Sequence, residues 1–173
     1  MRNKIILYLS LFFTFTLLSC DSDDQCRRND FVMLKMNFYK SVIDLAGKQT
    51  DSPHTLTVSA HGEGVDSLIY NNEQTSFVNL PLNKFAQSST FEILLNDTLE
   101  IITVWHTNYE EYLSFECGVV TCFTIDSLQI NGNSIDLLKT NGIYIDSVSI
   151  INYSVNIQNA ENIKLYHHYD NSK

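Results

Sequence analysis

From Phe31 onward, apolar and polar residues alternate along the chain in short runs, as in 31–39 and 55–60. Alternation with a period of two is typical of β-strands that bury one face. It predicts strands at 31–39, 55–60, 67–70, 76–80, 90–95, 99–106, 112–116, 119–130, 144–151 and 163–168. No segment sustains a helical period, and the best helical candidate, 41–46, is so short that an exposed connection is the better interpretation.

Many short strands with turn signals between them, and no helical crossovers, indicate an all-β fold with purely antiparallel sheets. The pattern favours an antiparallel β-sandwich of the Ig-like kind, with a small β-barrel as the second possibility. The chain has only two prolines, and no linker is evident after Asp30. Residues 31–173 are therefore predicted to form a single β-sandwich domain.

The N-terminus resembles the signal peptide of a bacterial lipoprotein. It has a basic start (Arg2 and Lys4), an uncharged apolar run over 5–18, and Ser19 directly before Cys20. As a helix, the apolar run would cover about 21 Å of a hydrocarbon core of roughly 30 Å, which is too short for a comfortable span. Cleavage before Cys20 is predicted, with a diacylglycerol and an amide-linked fatty acid such as palmitate making attachment effectively permanent. An ordinary secretory signal cut near Ser19 is the alternative.

These features divide the chain into a signal peptide (1–19), a lipidated N-terminus with an acidic tether (20–30) and the β domain. Removing the leader takes away two of the 11 basic residues and none of the 20 acidic ones, so the net charge falls from −9 to −11. Nucleic acid is not expected as a partner of so acidic a chain, which has no basic cluster larger than Arg27-Arg28.

The predicted location of the protein is the cell envelope, and the outer membrane is favoured over the inner one. The acidic run 21–24 resembles the surface-export signals of Bacteroidota lipoproteins. In other bacteria, however, Asp directly after the lipidated Cys means retention in the inner membrane. The sequence leaves open whether the domain lies on the periplasmic or the external face.

Three cysteines, Cys26, Cys117 and Cys122, remain beside the lipidated one in an exported compartment that permits disulfides. Three single pairings are open. Cys117 and Cys122 are separated by an odd number of positions, so on one continuous strand they would point to opposite faces. They could pair only across a turn or bulge near Gly118. No C-x-x-C spacing exists, so a thiolate metal site is not expected.

A short pattern of Asp, then Ser or Thr, then an aliphatic residue occurs four times, beginning at Asp66, Asp97, Asp126 and Asp146. Such Asp, Ser and Thr side chains bond to nearby backbone amides and close turns where strands start. The pattern also resembles the acceptor sequence of the O-glycosylation system of Bacteroidota envelopes. That second interpretation predicts glycans on Ser67, Thr98, Ser127 and Ser147.

Catalytic motifs are not evident, so the chain is not expected to be an enzyme. It has no nucleophile elbow and no P-loop. Glu110-Glu111, interpreted as solvated acids in a loop, has no evident second carboxylate for a glycosidase pair. Histidines such as the adjacent His167 and His168 would point to opposite faces of a strand. Neither a metal nor another cofactor is therefore expected.

Trp105 and His106, at the end of a predicted strand, form a candidate ligand surface. The alternative is an outward His106 beside a core Trp105. Tyrosines could extend a sugar-stacking or protein-binding surface, although each could equally be an ordinary strand residue. The tyrosines concerned are Tyr109, Tyr112, Tyr144, Tyr153, Tyr166 and Tyr169.

Recognisable stretches are Cys26, the runs 37–39, 79–83, 97–99, 113–118 and 145–152, and above all the pair Cys117-Gly118. Together they resemble an uncharacterised family of Bacteroidota lipoproteins, a domain of unknown function. The resemblance implies a single exported β-rich domain in which Cys26 is bonded to Cys117. Such a bond would leave 21–25 as the free tether, which reaches at most about 18 Å. Cys122 and 134–142 depart from the family pattern, and the resemblance implies no activity.

These observations predict a membrane-anchored envelope lipoprotein that acts as a non-catalytic binding or scaffolding module for another envelope component. A binder of a small ligand or glycan is the alternative. A hydrolase is a weaker one, because it would need two acidic or histidine side chains converging on one cleft.

Overall fold

A computed structural model describes residues 32–43, 49–115, 117–134 and 145–167. They belong to the compact unit Phe31–Lys173. No helix that could cross a membrane occurs within these ranges. The strands are β1 (Met33–Ile43), β2 (Gln49–Pro53), β3 (Leu56–Gly62), β4 (Leu68–Thr75), β5 (Phe77–Pro81), β6 (Ser88–Leu95), β7 (Thr98–Ser114), β8 (Gly118–Ile130), β9 (Asn133–Ser134), β10 (Ile145–Ile150), β11 (Ser154–Val155) and β12 (Ile163–His167).

The strands form two sheets. The first has the order β10-β12-β1, and the far side of β1 is shared by β5 along its first half and β2 along its second. The second has the order β11-β8-β7-β6-β3-β4, with β9 also paired to β8. Neither sheet closes on itself, and their buried faces contribute to one core. This confirms the predicted antiparallel β-sandwich, with one parallel pair as an exception.

The exception is the pair β1 and β12, which run parallel with Met36 opposite Ile163 and Tyr39 opposite Tyr166. The prediction of purely antiparallel sheets is wrong at this place. Turn signals fix the relative direction of strands that follow each other directly, as β6 and β7 do. They carry no information about two strands from opposite ends of the domain, whose direction is set by how they pack on the core.

Alternation places the core side chains. In β6, Phe91, Ile93 and Leu95 are buried while the residues between them are partly exposed. Leu34 and Phe38 of β1 face the same core from the first sheet. Full burial of such a side chain stabilises the fold by about 1.5–3 kcal/mol, so this alternation carries most of the driving force for packing the two sheets.

The longest elements are β7 and β8, with 17 and 13 residues, which form one long hairpin. The prediction of two strands, 99–106 and 112–116, with Glu110-Glu111 in a loop between them is wrong. Both glutamates lie in β7, opposite Thr121 and Val120 of β8. Two adjacent acids suggest a solvated loop, but a hairpin that carries polar residues on an exposed face can continue through them.

The interpretation of 41–46 as an exposed connection rather than a helix is also wrong in its first half, because 41–43 continue β1 and pair with 49–51 of β2. The pairing gives the backbone N–H and C=O groups of these residues hydrogen-bond partners across the sheet. A short isolated helix would leave most of these groups without such partners. Residues 44–48 lie outside the described ranges, as do the predicted leader, Cys20, Cys26 and the stretch 135–142.

Three asparagines extend the hydrogen-bond ladder in the same way. The backbone N–H of each donates to the carbonyl of one residue on another segment, and its Oδ1 accepts the N–H of that same residue. These pairs, with the two distances, are Asn96 with Thr57 (2.8 and 3.1 Å), Asn131 with Ile101 (2.8 and 2.8 Å) and Asn162 with Lys35 (3.0 and 3.1 Å). Asn96 and Asn131 have φ of 51° and 50°, in the left-handed region that asparagine tolerates well.

Candidate functional site

A pocket of about 460 Å³ opens where the end of β3, the end of β5 and the start of β6 meet. Its lining combines hydroxyl groups, one amide, one carboxylate and several apolar side chains. The lining residues are Gly62, Glu63, Val65, Ser67, Ile69, Pro81, Asn83, Ser88, Ser89, Thr90 and Phe91. Such a mixture is typical of sites that bind small molecules.

The wall formed by the β3–β4 connection begins where β3 stops pairing with β6, at Gly62 opposite Phe91. The chain then turns, with Gly64 at φ 72°, a conformation in which other residues would be strained. The N–H of Glu63 donates to the carbonyl of Thr90 at 2.9 Å. This bond fixes the connection to the start of β6 and so holds the two walls of the pocket together.

Ser89 joins the pocket to a buried chain of hydrogen bonds. Its Oγ accepts the N–H of Asn83 at 2.8 Å and lies 2.9 Å from Nε2 of His106. Nδ1 of His106 lies 2.7 Å from Oδ1 of Asn108. We call Ser89, His106 and Asn108 the buried network. His106 is only 1% exposed, and its ring packs edge-on against Phe123 with centroids 5.1 Å apart.

The direction of proton donation follows from the far end of the buried network. Nδ2 of Asn108 donates to the carbonyls of Lys84 and Ala86, at 2.9 and 3.1 Å. The Oδ1 of Asn108 therefore faces His106, so Nδ1 of the imidazole carries the proton. In the neutral imidazole, Nε2 is then the acceptor for the hydroxyl of Ser89. The N–H of His106 also donates to the carbonyl of Gln87 at 2.9 Å.

This order and polarity match the serine, base and orienting residue of a nucleophilic site. Two features instead fit a role in fixing the β5–β6 connection. The Oγ of Ser89 accepts the N–H of Asn83 and so holds the backbone just after β5. The nearly complete burial of His106 leaves Nε2 little access to a leaving group. A fully satisfied buried network makes its surroundings rigid.

A second polar group, which we call the outer cluster, lies on the exposed face of the first sheet. Oδ2 of Asp51 accepts hydrogen bonds from Nζ of Lys164 at 3.1 Å and from the hydroxyl of Tyr166 at 2.8 Å. The Nζ of Lys164 also lies 4.7 Å from the ring centroid of Tyr39. The bond from Tyr166, followed by that from Lys164, lowers the pKa of Asp51, and the Asp51 carboxylate raises the pKa of Lys164.

His54 and His167 stack with ring centroids 4.2 Å apart. Nδ1 of His167 lies 2.8 Å from the carbonyl oxygen of Tyr39 and donates to it. Burial is the largest cause that lowers the pKa of each of these two histidines. In the part of the chain that the structure describes, no group of three or more His, Cys, Asp or Glu side chains is placed to hold a metal ion.

The two described cysteines differ in state. Cys122 is free and buried, and its Sγ lies 3.4 Å from Oε2 of Glu111. Burial, and then the hydrogen bond with Glu111, raises the pKa of this thiol to about 11, so it is a poor nucleophile near neutral pH. Cys117 is not a free cysteine. A bond between these two, one of the three open pairings, is thereby excluded.

A model described as a family of unknown function (DUF6452) matches residues 55–167, which is more than half of the chain. The chain belongs to the DUF6452 family. The match runs from the start of β3 to the end of β12 and includes the pocket and the buried network. No curated protein matches the chain, and no solved structure does.

The DUF6452 domain places the two residues of the predicted ligand surface on opposite faces of β7. His106 is buried and Trp105 is partly exposed, so the alternative of an outward histidine beside a core tryptophan is wrong. The imidazole lies inside because the buried network satisfies both of its nitrogens. Neither residue lines the pocket, although His106 touches it through Ser89. A ligand surface at this pair stays a prediction.

Of the predicted glycosylation sites, Ser67 and Ser127 are exposed and Thr98 and Ser147 are partly exposed. Asp66 and Asp97 precede strands, whereas the aspartates before Ser127 and Ser147 are the additional residues of β-bulges. Two copies of the pattern therefore mark a bend inside a strand rather than its start. Glycosylation itself stays a prediction.

The tyrosines do not form one surface in the described domain. Tyr109, Tyr112 and Tyr153 are exposed, and Tyr166 belongs to the outer cluster. Tyr144, Tyr169 and His168 lie outside the described residues.

Sequence reasoning missed Ser89, Asn83 and Asn108 as members of the site. One signal was present, because Asn108 follows His106 by two positions and therefore lies on the same face of the strand. Serines at the start of a strand and an asparagine after a proline are common in turns, so Ser89 and Asn83 gave no comparable signal.

Proposed function

We propose that this DUF6452 protein is an envelope lipoprotein whose domain binds a small, hydroxyl-rich ligand, such as part of a glycan, in the pocket between β3, β5 and β6. It is held to the membrane through Cys20 and performs no catalysis. The observation that carries the proposal is the pocket itself, with one wall fixed by the buried network. Walls that are fixed before binding reduce the entropy lost when a ligand is ordered.

The pocket lining indicates the chemistry of the ligand. Ser67, Ser88 and Thr90 supply hydroxyl groups, and Glu63 is the single charged residue of the lining. Sugar hydroxyls both donate and accept, so they suit such a surface, whereas an anionic ligand would be repelled by the carboxylate. Val65, Ile69 and Phe91 add apolar surface for the carbon face of a sugar ring. The volume lies within the usual range of about 300–1,000 Å³ for ligand pockets.

Membrane attachment is supported by the leader and by the cysteines. The basic start, short apolar run and Ser19-Cys20 pair fit lipidation. Cys117 is not free while Cys122 is, which supports a bond between Cys117 and Cys26. We propose an outer-membrane location in a Bacteroidota envelope, where the partners would be the bilayer and an envelope glycan or a protein that carries one.

The binding proposal is tested with the full chain in detergent and a panel of neutral oligosaccharides, with affinity measured by calorimetry. Ser67→Trp fills the pocket from its exposed rim, and Ser127→Trp places the same side chain on an exposed position of β8. We expect Ser67→Trp to abolish binding and Ser127→Trp to preserve it. Equal binding by both variants, or no binding of any oligosaccharide by the wild type, would overturn the proposal.

The attachment proposal is tested separately in the native host. Cys20→Ala should move the protein from the membrane fraction to the soluble fraction, and a variant that stays with the membrane contradicts lipid anchoring. Peptide mapping without reductant should recover Cys26 joined to Cys117. Recovery of Cys26 as a free thiol contradicts the disulfide.

A further inference from the structure

Three exposed apolar side chains lie where β7 ends and β8 begins, and we call them the hairpin tip. They are Tyr112, Phe115 and Val119, which are 65%, 92% and 57% exposed. Tyr112 lies directly opposite Val119 across the hairpin, so their side chains are neighbours. Phe115 lies in the connection between the two strands.

Single exposed apolar residues are normal on protein surfaces, but a group of them indicates a contact surface. Phe85, which is also highly exposed, has the ammonium of Lys84 5.1 Å from its ring centroid. The hairpin tip instead gathers three such residues at the far end of the longest hairpin. The contact it makes should therefore be with something apolar.

We propose that the hairpin tip rests in the interfacial layer of the bilayer that holds the lipid anchor. This inference rests on the proposed attachment through Cys20. Cys117 is two positions from Phe115, and the proposed bond to Cys26 would leave five residues between that bond and the anchor. Five residues reach at most about 18 Å, so the tip would be held beside the membrane surface at a high effective concentration.

The residue types fit this location. Phe and Val have apolar side chains, and Tyr combines an apolar ring with a hydroxyl that can stay hydrated, as in residues at membrane interfaces. Glu110 is exposed near the tip, and the tether contains Asp21, Asp23 and Asp24. These charges oppose an anionic surface, so the contact should form with neutral or zwitterionic lipid through apolar burial rather than through charge.

The test uses the full lipidated chain reconstituted into phosphatidylcholine vesicles whose acyl chains carry bromine, a quencher of tryptophan fluorescence at short range. Phe115→Trp places a reporter in the tip. Leu99→Trp is the matched control, because Leu99 is 52% exposed near the opposite end of the same strand, β7. The wild type, which contains only Trp105, gives the background.

We expect bromine to quench Phe115→Trp severalfold more than Leu99→Trp, and to leave Leu99→Trp close to the wild-type background. Cys26→Ser in the Phe115→Trp background lengthens the tether and should reduce the quenching. Equal quenching of the two reporters, or none at position 115, would overturn the inference. Capture of the tip by a second copy of the chain would give concentration-dependent energy transfer between labelled copies without quenching, and would also overturn it.

Flotation of the same vesicles separates this inference from the proposed function. If the protein floats with the vesicles but the reporter at 115 is not quenched, membrane attachment stands and the tip contact is wrong. If the wild-type chain does not float, anchoring through Cys20 is wrong and the tip inference falls with it.

Discussion

The buried network and the outer cluster contain similar groups in opposite surroundings. In the first, Ser89 and His106 are buried and Asn108 is half-buried, and they hold backbone groups of the β5–β6 connection. In the second, Asp51 and Lys164 are charged and remain in contact with water. Burial, more than formal charge, decides what such a group contributes to stability.

The two regions differ because water can replace a lost hydrogen-bond partner only where the remaining group is exposed. A group in the outer cluster that loses its partner is hydrated again, so the net loss is small. A group in the buried network that loses its partner keeps the full cost of having left water. The exposed outer cluster should therefore matter less to stability than the buried network.

The largest effect is expected from Asn108→Ala. It leaves the Nδ1 proton of His106 and the carbonyl of Ala86 without this partner in a partly buried region, and the carbonyl of Lys84 without it at an exposed position. We expect the free energy of unfolding to fall by about 2–4 kcal/mol. Denaturant titration at pH 7 measures it, with the exposed Asn71→Ala as control. A loss no greater than that of the control would contradict the contrast between the two regions.

A smaller effect is expected from acid, through the His54–His167 stack. Burial lowers the pKa of both residues in the folded state below the usual 6.5, so just below that pH the unfolded chain binds more protons. Stability should therefore fall as the pH decreases from about 7 to about 5. His54→Gln should flatten this dependence in denaturant titrations at several pH values. If stability depended on pH equally steeply in the variant and the wild type, protonation of the His54–His167 stack would not be the cause.

The smallest effect is expected from Asp51→Asn, which removes the charge of the outer cluster. Because the cluster is exposed, the loss should be about 0–1 kcal/mol at pH 7 and should shrink further in high salt. The pKa of Asp51 is lowered in the folded state, so its contribution is present above the usual 3.8 and disappears as the pH falls through the folded value. A loss of stability as large as that of Asn108→Ala would contradict the expected order of the two effects.

Much of the sandwich could be predicted from the sequence because period-two alternation reports directly which face of a strand is buried. The alternation over 90–95 predicts a strand, and these residues lie in β6 with Phe91, Ile93 and Leu95 facing the core. The direction of β12 and the continuity of β7 could not be predicted, since alternation carries no information about strand partners.

The candidate site was harder to predict, because His106 and Asn108 become informative only beside Ser89 from the neighbouring strand. A polar residue on the inward face of a strand interrupts the alternation of apolar and polar residues, and its role is evident only when its hydrogen-bond partners are known. The family match adds no chemistry, because the DUF6452 family is one of unknown function.

Asn131 shows how closely one ladder-extending asparagine depends on its amide. Its Nδ2 donates to Oε2 of Glu100, which is fully buried, and the next residue is Gly132. Aspartate at this position would replace the donating Nδ2 with an oxygen that accepts, so the hydrogen bond to Oε2 of Glu100 would be lost. An Asn-Gly pair is also where spontaneous deamidation makes that same change. Deamidation of Asn131 should therefore leave Oε2 of the buried Glu100 without this donor, which makes the turn a point where chemical ageing weakens the domain.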